Sequence, residues 1–350
     1  MSHLMPNSVS EGTQAASLAL IRDNAMTQGI TSGAQFMVTL PMNKPSASVY
    51  DETVAYAFYR AMTLPDLRPV TLKCIASIFY NFFFRQFRAA YLPGRAPVSQ
   101  VDLPLDKKIP FTPSWVTIYL DFVPFWIRMV AFLLRKYGRK AHNALMDFIS
   151  SMGKLYAYAA GVYKKNFSTT VRPFYIARPR FFLIHMVDPH LMCIPSLHVM
   201  IAIRTYTKFM QIMKGFGDDK TCAAQIEEIR QGALAITRAI LYIKQHSINC
   251  ISAALYAMTC YDPELFTQED AEAFTAELFS GKQPKAEPGR KLIAEHPASA
   301  PRSTIKADDA NEIQGHIIGL FRRFLSEKKE TENWDEPLMK FLREMPAAKS

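Results

Sequence analysis

The stretch I-P-S-L-H-V-M-I-A-I, residues 194–203, puts a proline, a hydroxyl and an imidazole directly in front of an apolar run. Proline has a fixed φ and no backbone N–H to lose, so it favours the first turn of a helix. The stretch therefore predicts a helix with Pro195 in its first turn and with Ser196 and His198 at its N-terminal end. Free backbone N–H groups and the helix dipole attract anions there, which makes this end a candidate phosphate site.

Long apolar segments with helical spacing recur through much of the chain. Hydrophobic residues make up 49% of it, and stretches of β-type alternation are few. We therefore expect an all-α protein built on a six-helix bundle with a C-terminal helical extension. A first helix is expected from Ser48, where S-V-Y-D resembles a capping box, to Leu64. The six segments that follow cover approximately residues 70–92, 115–134, 145–163, 195–213, 231–243 and 246–261.

Composition divides the chain into three parts. Residues 1–47 are rich in polar residues and glycine, which predicts a flexible N-terminal segment, and residues 48–261 hold the bundle. Residues 262–350 form an acidic, partly helical extension in which a Pro-rich linker separates two amphipathic helices, the second from about Ala307 to Lys328. The apolar face of that second helix could cap the bundle or bind a protein partner.

The net charge of +10 is unevenly distributed. From residue 262 onward there are 17 acidic and 13 basic side chains, a charge of −4, and the remaining 28 basic and 14 acidic side chains give +14. The apolar part of the chain is thus the basic part, which favours contact with anionic lipid. Nucleic acid is not an expected partner, because the basic residues interrupt hydrophobic segments and form no polar stripe.

The charges inside the apolar segments bear on whether these segments cross a membrane. A spanning helix needs about 20 mostly apolar residues, and these segments contain charges such as Asp121, Arg128, Arg204 and Lys208. Central charges must face the bundle interior. The segments are therefore expected either to span a membrane or to form a soluble or surface-bound bundle of amphipathic helices. If the segments span, the basic run 135–140 predicts that both termini are cytoplasmic. The N-terminus has no basic region before its short apolar stretch, so no signal peptide is expected.

The cysteines predict neither a disulfide framework nor a zinc site. The chain has five cysteines, an odd number, and they are widely spaced. No two of them form a C-x-x-C motif. They are Cys74, Cys193, Cys222, Cys250 and Cys260.

Two further polar stretches accompany Pro195-Ser196-Leu197-His198. Lys165 and Arg172 stand seven residues apart before Pro173, and two fixed cations of this kind can hold a phosphate. The third stretch is Lys244-Gln245-His246. These stretches resemble the three motifs of the superfamily of type 2 phosphatidic acid phosphatases (PAP2) and vanadium haloperoxidases. Those motifs are K-x6-R-P, P-S-x-H and H-x3-D. The sequences P-S-L-H-V and K-Q-H are most similar to the membrane branch of this superfamily that is related to inositol-phosphoceramide synthases. Residues 106–111 also resemble the D-x-x-I-P-F element of that branch. The resemblance covers roughly residues 100–260.

The resemblance implies a role for each matching residue. Lys165, Arg172 and Ser196 would hold the phosphoryl oxygens, His198 would protonate the leaving group, and His246 would attack phosphorus to form a phosphohistidine. It implies a phosphatase or phosphotransferase for a lipid or isoprenoid phosphate. Such an enzyme requires no metal or other cofactor.

The third motif departs from the family pattern. The aspartate that would orient the nucleophilic His246 is Cys250 here, and a thiol is a weak acceptor. Asn249 is the nearest substitute. The arginine that many relatives place six residues before the histidine is Ile240, and Arg238 could reach instead.

The same departure leaves room for other interpretations. His185, Asp188 and His190 precede the second motif and could supply another acceptor, although Pro189 indicates a turn there. A catalytically degenerate bundle that binds phospholipid or a protein partner is the main alternative to an enzyme. Haloperoxidase chemistry with bound vanadate is a third interpretation, but no feature of the chain points to a halide or an oxidant.

Overall fold

The computed structural model describes residues 45–92, 97–175, 177–279 and 305–348. These residues are mostly helical, so the expected all-α class is confirmed. The flexible segment predicted for residues 1–47 falls outside the described residues up to residue 44. The Pro-rich linker also lies outside them.

The helices follow one another with short connections. The first half of the chain contains α1 (Val54–Thr63), α2 (Leu67–Ile78), α3 (Arg85–Tyr91), α4 (Val116–Leu120), α5 (Phe122–Tyr137) and α6 (His142–Tyr163). The second half contains α7 (Pro179–Val187), α8 (Leu197–Phe216), α9 (Ala223–Tyr242), α10 (Ile248–Tyr261), α11 (Gln268–Leu278), α12 (Ala307–Lys328) and α13 (Glu336–Glu344). A π-helical turn, Phe79–Phe84, joins α2 to α3. Helices α7 and α13 were not predicted from the sequence.

Two helix starts differ from the prediction. Ser48 caps a short 3-10 turn, Val49–Asp51, by accepting a hydrogen bond from Tyr50 N at 3.1 Å, and α1 begins only at Val54. Pro195 lies before α8, not in its first turn. The reason is that Ser196 has an extended backbone, with φ −69° and ψ 113°, and serves as the N-cap residue of a helix that begins at Leu197.

Helix α8 is the central helix of the bundle. It packs against α5, α6, α9 and α10, and most of its residues are buried. Its two buried charges are paired: Arg204 with Asp262, and Lys208 Nζ with Asp147 Oδ2 at 2.6 Å. Pairing inside the protein offsets the cost of placing these charges in an apolar helix.

A small parallel sheet ties the first motif to the second. Strand β1 (Val98–Gln100) pairs with β2 (Phe167–Thr169), which lies between Lys165 and Arg172. On the other side of β2, Cys193 N donates to Ser168 O at 3.2 Å, and Ile194 N donates to Ser168 Oγ at 2.7 Å. The segment before α8 is therefore fixed against the first motif.

The C-terminal helices pack on the bundle. The apolar face of α12 lies against α10, with Ile313, Ile317, Phe321 and Phe324 buried. Beyond α13, Gln100 N donates to Pro346 O at 2.8 Å, which attaches the C-terminal segment to β1. The described residues from 45 onward form one compact unit.

One described helical run, Pro113–Tyr163, is long and apolar enough to cross a membrane. Just over half of its most apolar window, 56%, is buried inside the protein, and Gly138, with φ 55°, breaks the run between α5 and α6. Core helices of soluble proteins meet the same criteria of length and composition.

Candidate active site

The structure brings the two candidate catalytic histidines together. His198 lies in the first turn of α8 and His246 two residues before α10, and their ring centroids are 5.3 Å apart. Both are largely buried, with 9% and 7% of their surface exposed. The rings of Tyr119 and Phe122 pack on His198 at 4.4 and 4.3 Å, and so fix its orientation.

Buried polar atoms near this pair lack partners. Ser196 Oγ, His246 Nδ1 and Gln245 Nε2 make no hydrogen bond to any described residue. An unsatisfied buried polar group costs about 1–3 kcal/mol. Such groups cluster where a ligand with several polar atoms can satisfy them, so Ser196 and His246 are well placed to contact one.

Arg172 is held beside the histidines by the third motif and by the turn before α8. Its Nη1 donates to Gln245 Oε1 at 3.4 Å, and its Nη2 donates to Asp188 O at 3.2 Å. Gln245 immediately precedes His246, so these contacts fix the guanidinium near the histidine pair.

Lys165 has a different position. Its ammonium donates to Asp335 Oδ2 at 2.5 Å, and the side chain is 51% exposed. Asp335 is the residue before α13. Since β2 lies between Lys165 and Arg172, the spacing of seven places the two cations at opposite ends of a strand. Lys165 is therefore engaged by the C-terminal extension, while Arg172 lies at the site.

Asn249 does not take the place of the missing aspartate. Its Nδ2 donates to Val101 O at 3.0 Å, and its Oδ1 accepts from His316 Nε2 of α12 at 2.8 Å. Both ends of the amide are thus used away from His246. Cys250 is fully buried.

The D-x-x-I-P-F element contacts the third motif directly. The Asp106 carboxylate accepts from Ser247 Oγ at 2.7 Å and from Ile248 N at 2.9 Å, and so caps the start of α10. Lys244 Nζ donates to Asp106 O at 2.5 Å. These bonds hold the segment on both sides of His246. The sequence indicated the element by resemblance alone and gave no role for Asp106.

A second polar cluster lies next to His246. His190 Nε2 is 2.7 Å from Thr170 Oγ1, its backbone N–H donates to Asp188 Oδ1 at 2.8 Å, and Cys193 Sγ is 3.5 Å from its Nε2. The His190 and His246 ring centroids are 6.0 Å apart. Burial by itself lowers the pKa of His190, but Cys193 and Asp188 beside it raise that pKa to about 9. Despite the burial of Asp188, its hydrogen bond to His190 holds the pKa of its carboxyl below the usual range.

The environment of the thiols and of His198 sets their charge. Burial opposes ionisation of Cys193, yet its contacts with Cys250, His190 and His246 lower its pKa well below the ordinary value, while burial raises the pKa of Cys250. Burial, and next the neighbouring imidazole of His246, lower the pKa of His198 to about 3. His198 is therefore neutral at pH 7, and a bound phosphate dianion would raise its pKa. Although thiols and imidazoles meet here, the described residues form no group of three or more that could hold a metal ion.

Of the remaining candidates, Arg238 and Ile240 lie in α9. Burial and the nearby charges of Arg172 and His190 lower the pKa of His185, so this residue lies close to the site. Arg238 Nε donates to Leu234 O of its own helix at 3.3 Å, and Ile240 is buried in α9. His185 packs on Phe181 with ring centroids 6.3 Å apart.

Arg172, His198 and His246 thus lie close together, with the buried Ser196 two residues before His198. Asp106, Gln245 and the cluster of Asp188, His190 and Cys193 support this site. The sequence gave no signal for Cys193, Tyr119 or Phe122, which reach the site only through long-range contacts. No family model, no curated protein and no solved structure matches the chain.

Proposed function

We propose that the protein is a metal-independent phosphatase or phosphotransferase that acts on a lipid or isoprenoid phosphate, with α8 at the centre of a PAP2-like six-helix bundle. The observation that carries the proposal is the 5.3 Å pairing of the His198 and His246 rings beside two unpartnered buried atoms, Ser196 Oγ and His246 Nδ1. Arg172 lies next to them. Fixed positive charge, a neutral nucleophile and a proton donor are what phosphoryl transfer needs.

In the proposed reaction, Arg172 and Ser196 bind the phosphoryl oxygens. A ring nitrogen of His246 attacks phosphorus, so that a P–N bond forms as the P–O bond to the leaving group breaks. His198, protonated in the presence of the phosphate, gives its proton to the leaving oxygen. Water or a second alcohol then attacks the phosphohistidine, His198 takes the proton of that nucleophile, and His246 is regenerated.

A lipid substrate is supported by an exposed apolar surface next to the site. Phe174, Phe182, Leu183 and Met186, called the α7 surface below, are all more than half exposed, Phe174 at 88%. Residues 171–187 contain three arginines and no acidic residue. Exposed apolar side chains among cations are typical of segments that lie in the interface of an anionic membrane. We therefore propose that the protein associates with membranes through this surface.

The activity is tested with purified protein, phosphatidic acid and an isoprenyl diphosphate in the presence of a chelator, with released phosphate as the readout. We expect His246→Ala to abolish release. We expect Arg172→Ala to lower the rate by about 100-fold or more, the usual effect of removing a transition-state donor. Lys165→Ala is the matched control and should keep most of the activity, because its ammonium is paired with Asp335. Release that is unchanged in His246→Ala, or absent across a broad panel of phosphates, would refute the proposal.

A second candidate function is a catalytically degenerate bundle that binds phospholipid or a protein partner. Two observations favour it: Cys250 stands where the orienting carboxylate belongs, and Lys165 is engaged outside the site. Cys250→Asp, with the uncharged Cys250→Asn as its control, separates the two functions. Activity gained only in the Asp variant would indicate a site that has lost its acid, whereas activity in the unchanged protein would exclude this second candidate.

A further inference from the structure

Cys193 contacts both His246 and the residue that stands where the orienting aspartate is missing. Its Sγ lies 3.5 Å from His190 Nε2, and its side chain also contacts Cys250 and His246. Both thiols are buried, with 1% of Cys193 and 0% of Cys250 exposed. Cys193 thus lies against the imidazole that an aspartate in place of Cys250 would be expected to orient.

The backbone on both sides of the Cys193 side chain is fixed. Cys193 N donates to Ser168 O at 3.2 Å, and Ile194 N donates to Ser168 Oγ at 2.7 Å. Ser168 is the central residue of β2, so the sheet fixes this segment. A cysteine side chain has a single rotatable bond to its sulfur, so a fixed backbone leaves the thiol few positions.

Cys193 is the anionic member of the thiol pair. Burial opposes its ionisation, but Cys250 and the charge of His190 lower its pKa well below the ordinary value. Burial raises the pKa of Cys250, which therefore stays a thiol and can donate to Cys193. The negative charge that an aspartate would supply beside His246 is thus present, but on a residue from a different part of the chain.

The carboxylates of this region are used elsewhere. Asp106 accepts from Ile248 N at 2.9 Å and caps the start of α10, and Asp188 accepts from the His190 backbone N–H at 2.8 Å. Among the described residues, neither carboxylate hydrogen-bonds to the His246 ring. Cys193 is therefore left as the anion that contacts His246.

A thiolate at this position suits the charge that His246 gains in the proposed reaction. Attack on phosphorus through one ring nitrogen gives the imidazole a positive charge. Arg172 and His190 lie close by and are themselves cations, so they oppose that charge. An anion in contact with the ring offsets this repulsion and fixes which ring nitrogen carries the proton.

We infer that Cys193 is a positioning residue: its thiolate takes the place of the missing aspartate, accepts a hydrogen bond from one ring nitrogen of His246 and leaves the other nitrogen to attack phosphorus. The inference rests on the proposed function and adds the group that orients its nucleophile. Such hydrogen bonds are often long in a free enzyme and tighten when substrate binds. A buried His246 Nδ1 without a partner in the free protein is consistent with this.

Rescue by a second substitution tests the orienting role. Cys193→Ser keeps the size of the side chain but not its charge, and it should lower kcat by about 100-fold or more with little change in KM. Cys193→Ser/Cys250→Asp restores an anion and should recover at least about tenfold of that loss, whereas Cys193→Ser/Cys250→Asn should not. Cys74→Ser replaces a buried cysteine of α2 and should leave kcat unchanged. Full activity of Cys193→Ser, or equal recovery by Asp and Asn, would overturn the inference.

Titration of the thiolate tests the contact without turnover. The ultraviolet absorbance of the thiolate, taken as the difference between each protein and the same protein carrying Cys193→Ser, follows the ionisation of Cys193. We expect His246→Ala to raise the pKa of Cys193 by about one unit, the effect of losing one hydrogen bond to a charged group. His246→Asn and His246→Gln place an amide N–H near Nδ1 and Nε2, and one of them should keep the pKa low. A pKa that His246→Ala leaves unchanged would overturn the inference.

The two measurements distinguish this inference from the proposed function. A Cys193 titration that depends on His246, in a protein that releases phosphate from no substrate, would support the contact while the proposed activity fails. Phosphate release that requires His246 but not Cys193 would overturn the positioning role alone.

Discussion

His190 is a buried residue held in a left-handed backbone conformation, with φ 61°, beside the candidate catalytic pair. Thr170, Asp188 and Cys193 surround its ring. Since its pKa is about 9, it carries a positive charge at pH 7. His190 therefore places a cation next to His246 at a site that Lys165 does not reach.

The shifted pKa values of His190 and Cys193 act on the stability of the protein in opposite directions. The folded-state pKa of His190, about 9, lies above the ordinary value of 6.5, so its stabilisation is present in full below about pH 6.5 and is lost as pH rises through about 9. The pKa of Cys193 is lowered, so its stabilisation grows as pH rises toward the ordinary thiol value of 9.0. We expect the two to offset each other in the unchanged protein. His190→Gln leaves the Cys193 contribution, so its free energy of unfolding should rise between pH 7.5 and 9, measured by denaturant titration.

His316→Gln is the matched control for that measurement. Burial lowers the pKa of His316, so this residue is neutral in both states above pH 6.5 and its replacement should leave the slope unchanged. A free energy of unfolding that does not rise between pH 7.5 and 9 in His190→Gln would contradict the assignment.

Helix α9 precedes His246, and its packing on α5 and on the turn before α1 depends on a close approach at one glycine. A Cβ atom added at Gly232 of α9 would overlap the Tyr50 hydroxyl and the Phe125 ring. Tyr50 and Phe125 lie against each other with ring centroids 6.2 Å apart, so neither has free space to move away. The contact between α9, α5 and the turn before α1 therefore requires glycine at this position.

We expect Gly232→Ala to lower the free energy of unfolding by about 1–3 kcal/mol, the usual cost of overpacking a core. Gly319→Ala is its control on the exposed side of α12, where an added Cβ meets nothing within 4 Å. It should raise stability by about 0.5–1 kcal/mol, because alanine is the better helix former. Thermal or denaturant unfolding measures both, and equal effects of the two substitutions would contradict the close packing at Gly232.

At the scale of the whole molecule, the protein combines a basic, apolar bundle with an acidic extension that packs on it. The extension contacts residues of the motifs through three groups of contacts: Asp335 with Lys165, His316 with Asn249, and Asp309 and Glu312 with Lys108. The α7 surface remains exposed on the described part of the chain, and it directly precedes Asp188 and His190. Contact with a membrane at this surface would bring lipid headgroups to the mouth of the site.

We expect the protein to bind vesicles that contain anionic lipid more tightly than vesicles of phosphatidylcholine alone. Phe174→Ser/Leu183→Ser/Met186→Ser should weaken that binding at least about tenfold, because each apolar side chain contributes about 1.5–3 kcal/mol when it is buried. Co-sedimentation measures the effect. Tyr80→Ser/Phe84→Ser/Tyr91→Ser removes exposed aromatic rings near α3 and should have little effect. Unchanged binding by the α7 variant would contradict surface docking, and equal loss in both variants would indicate lipid contact on both faces.

The sequence by itself determined the helical class, the order of the apolar segments and the bounds of α12, because these depend on spacing along one chain. It also determined that Arg172, Ser196, His198 and His246 are candidates, since each stands in a short local motif. The prediction that Pro195 lies in the first turn of α8 was wrong, since α8 begins two residues later. Local propensity does not fix the backbone conformation of the N-cap residue.

Only the tertiary structure decided which of these residues share a site. The spacing of Lys165 and Arg172 suits a phosphate clamp, but β2 separates them and Asp335 takes the lysine. Asn249 has the right chemistry to replace an aspartate, but Val101 and His316 use its amide. Such contacts join residues that lie far apart along the chain, so no local pattern records them, and the geometry of the site is set by packing.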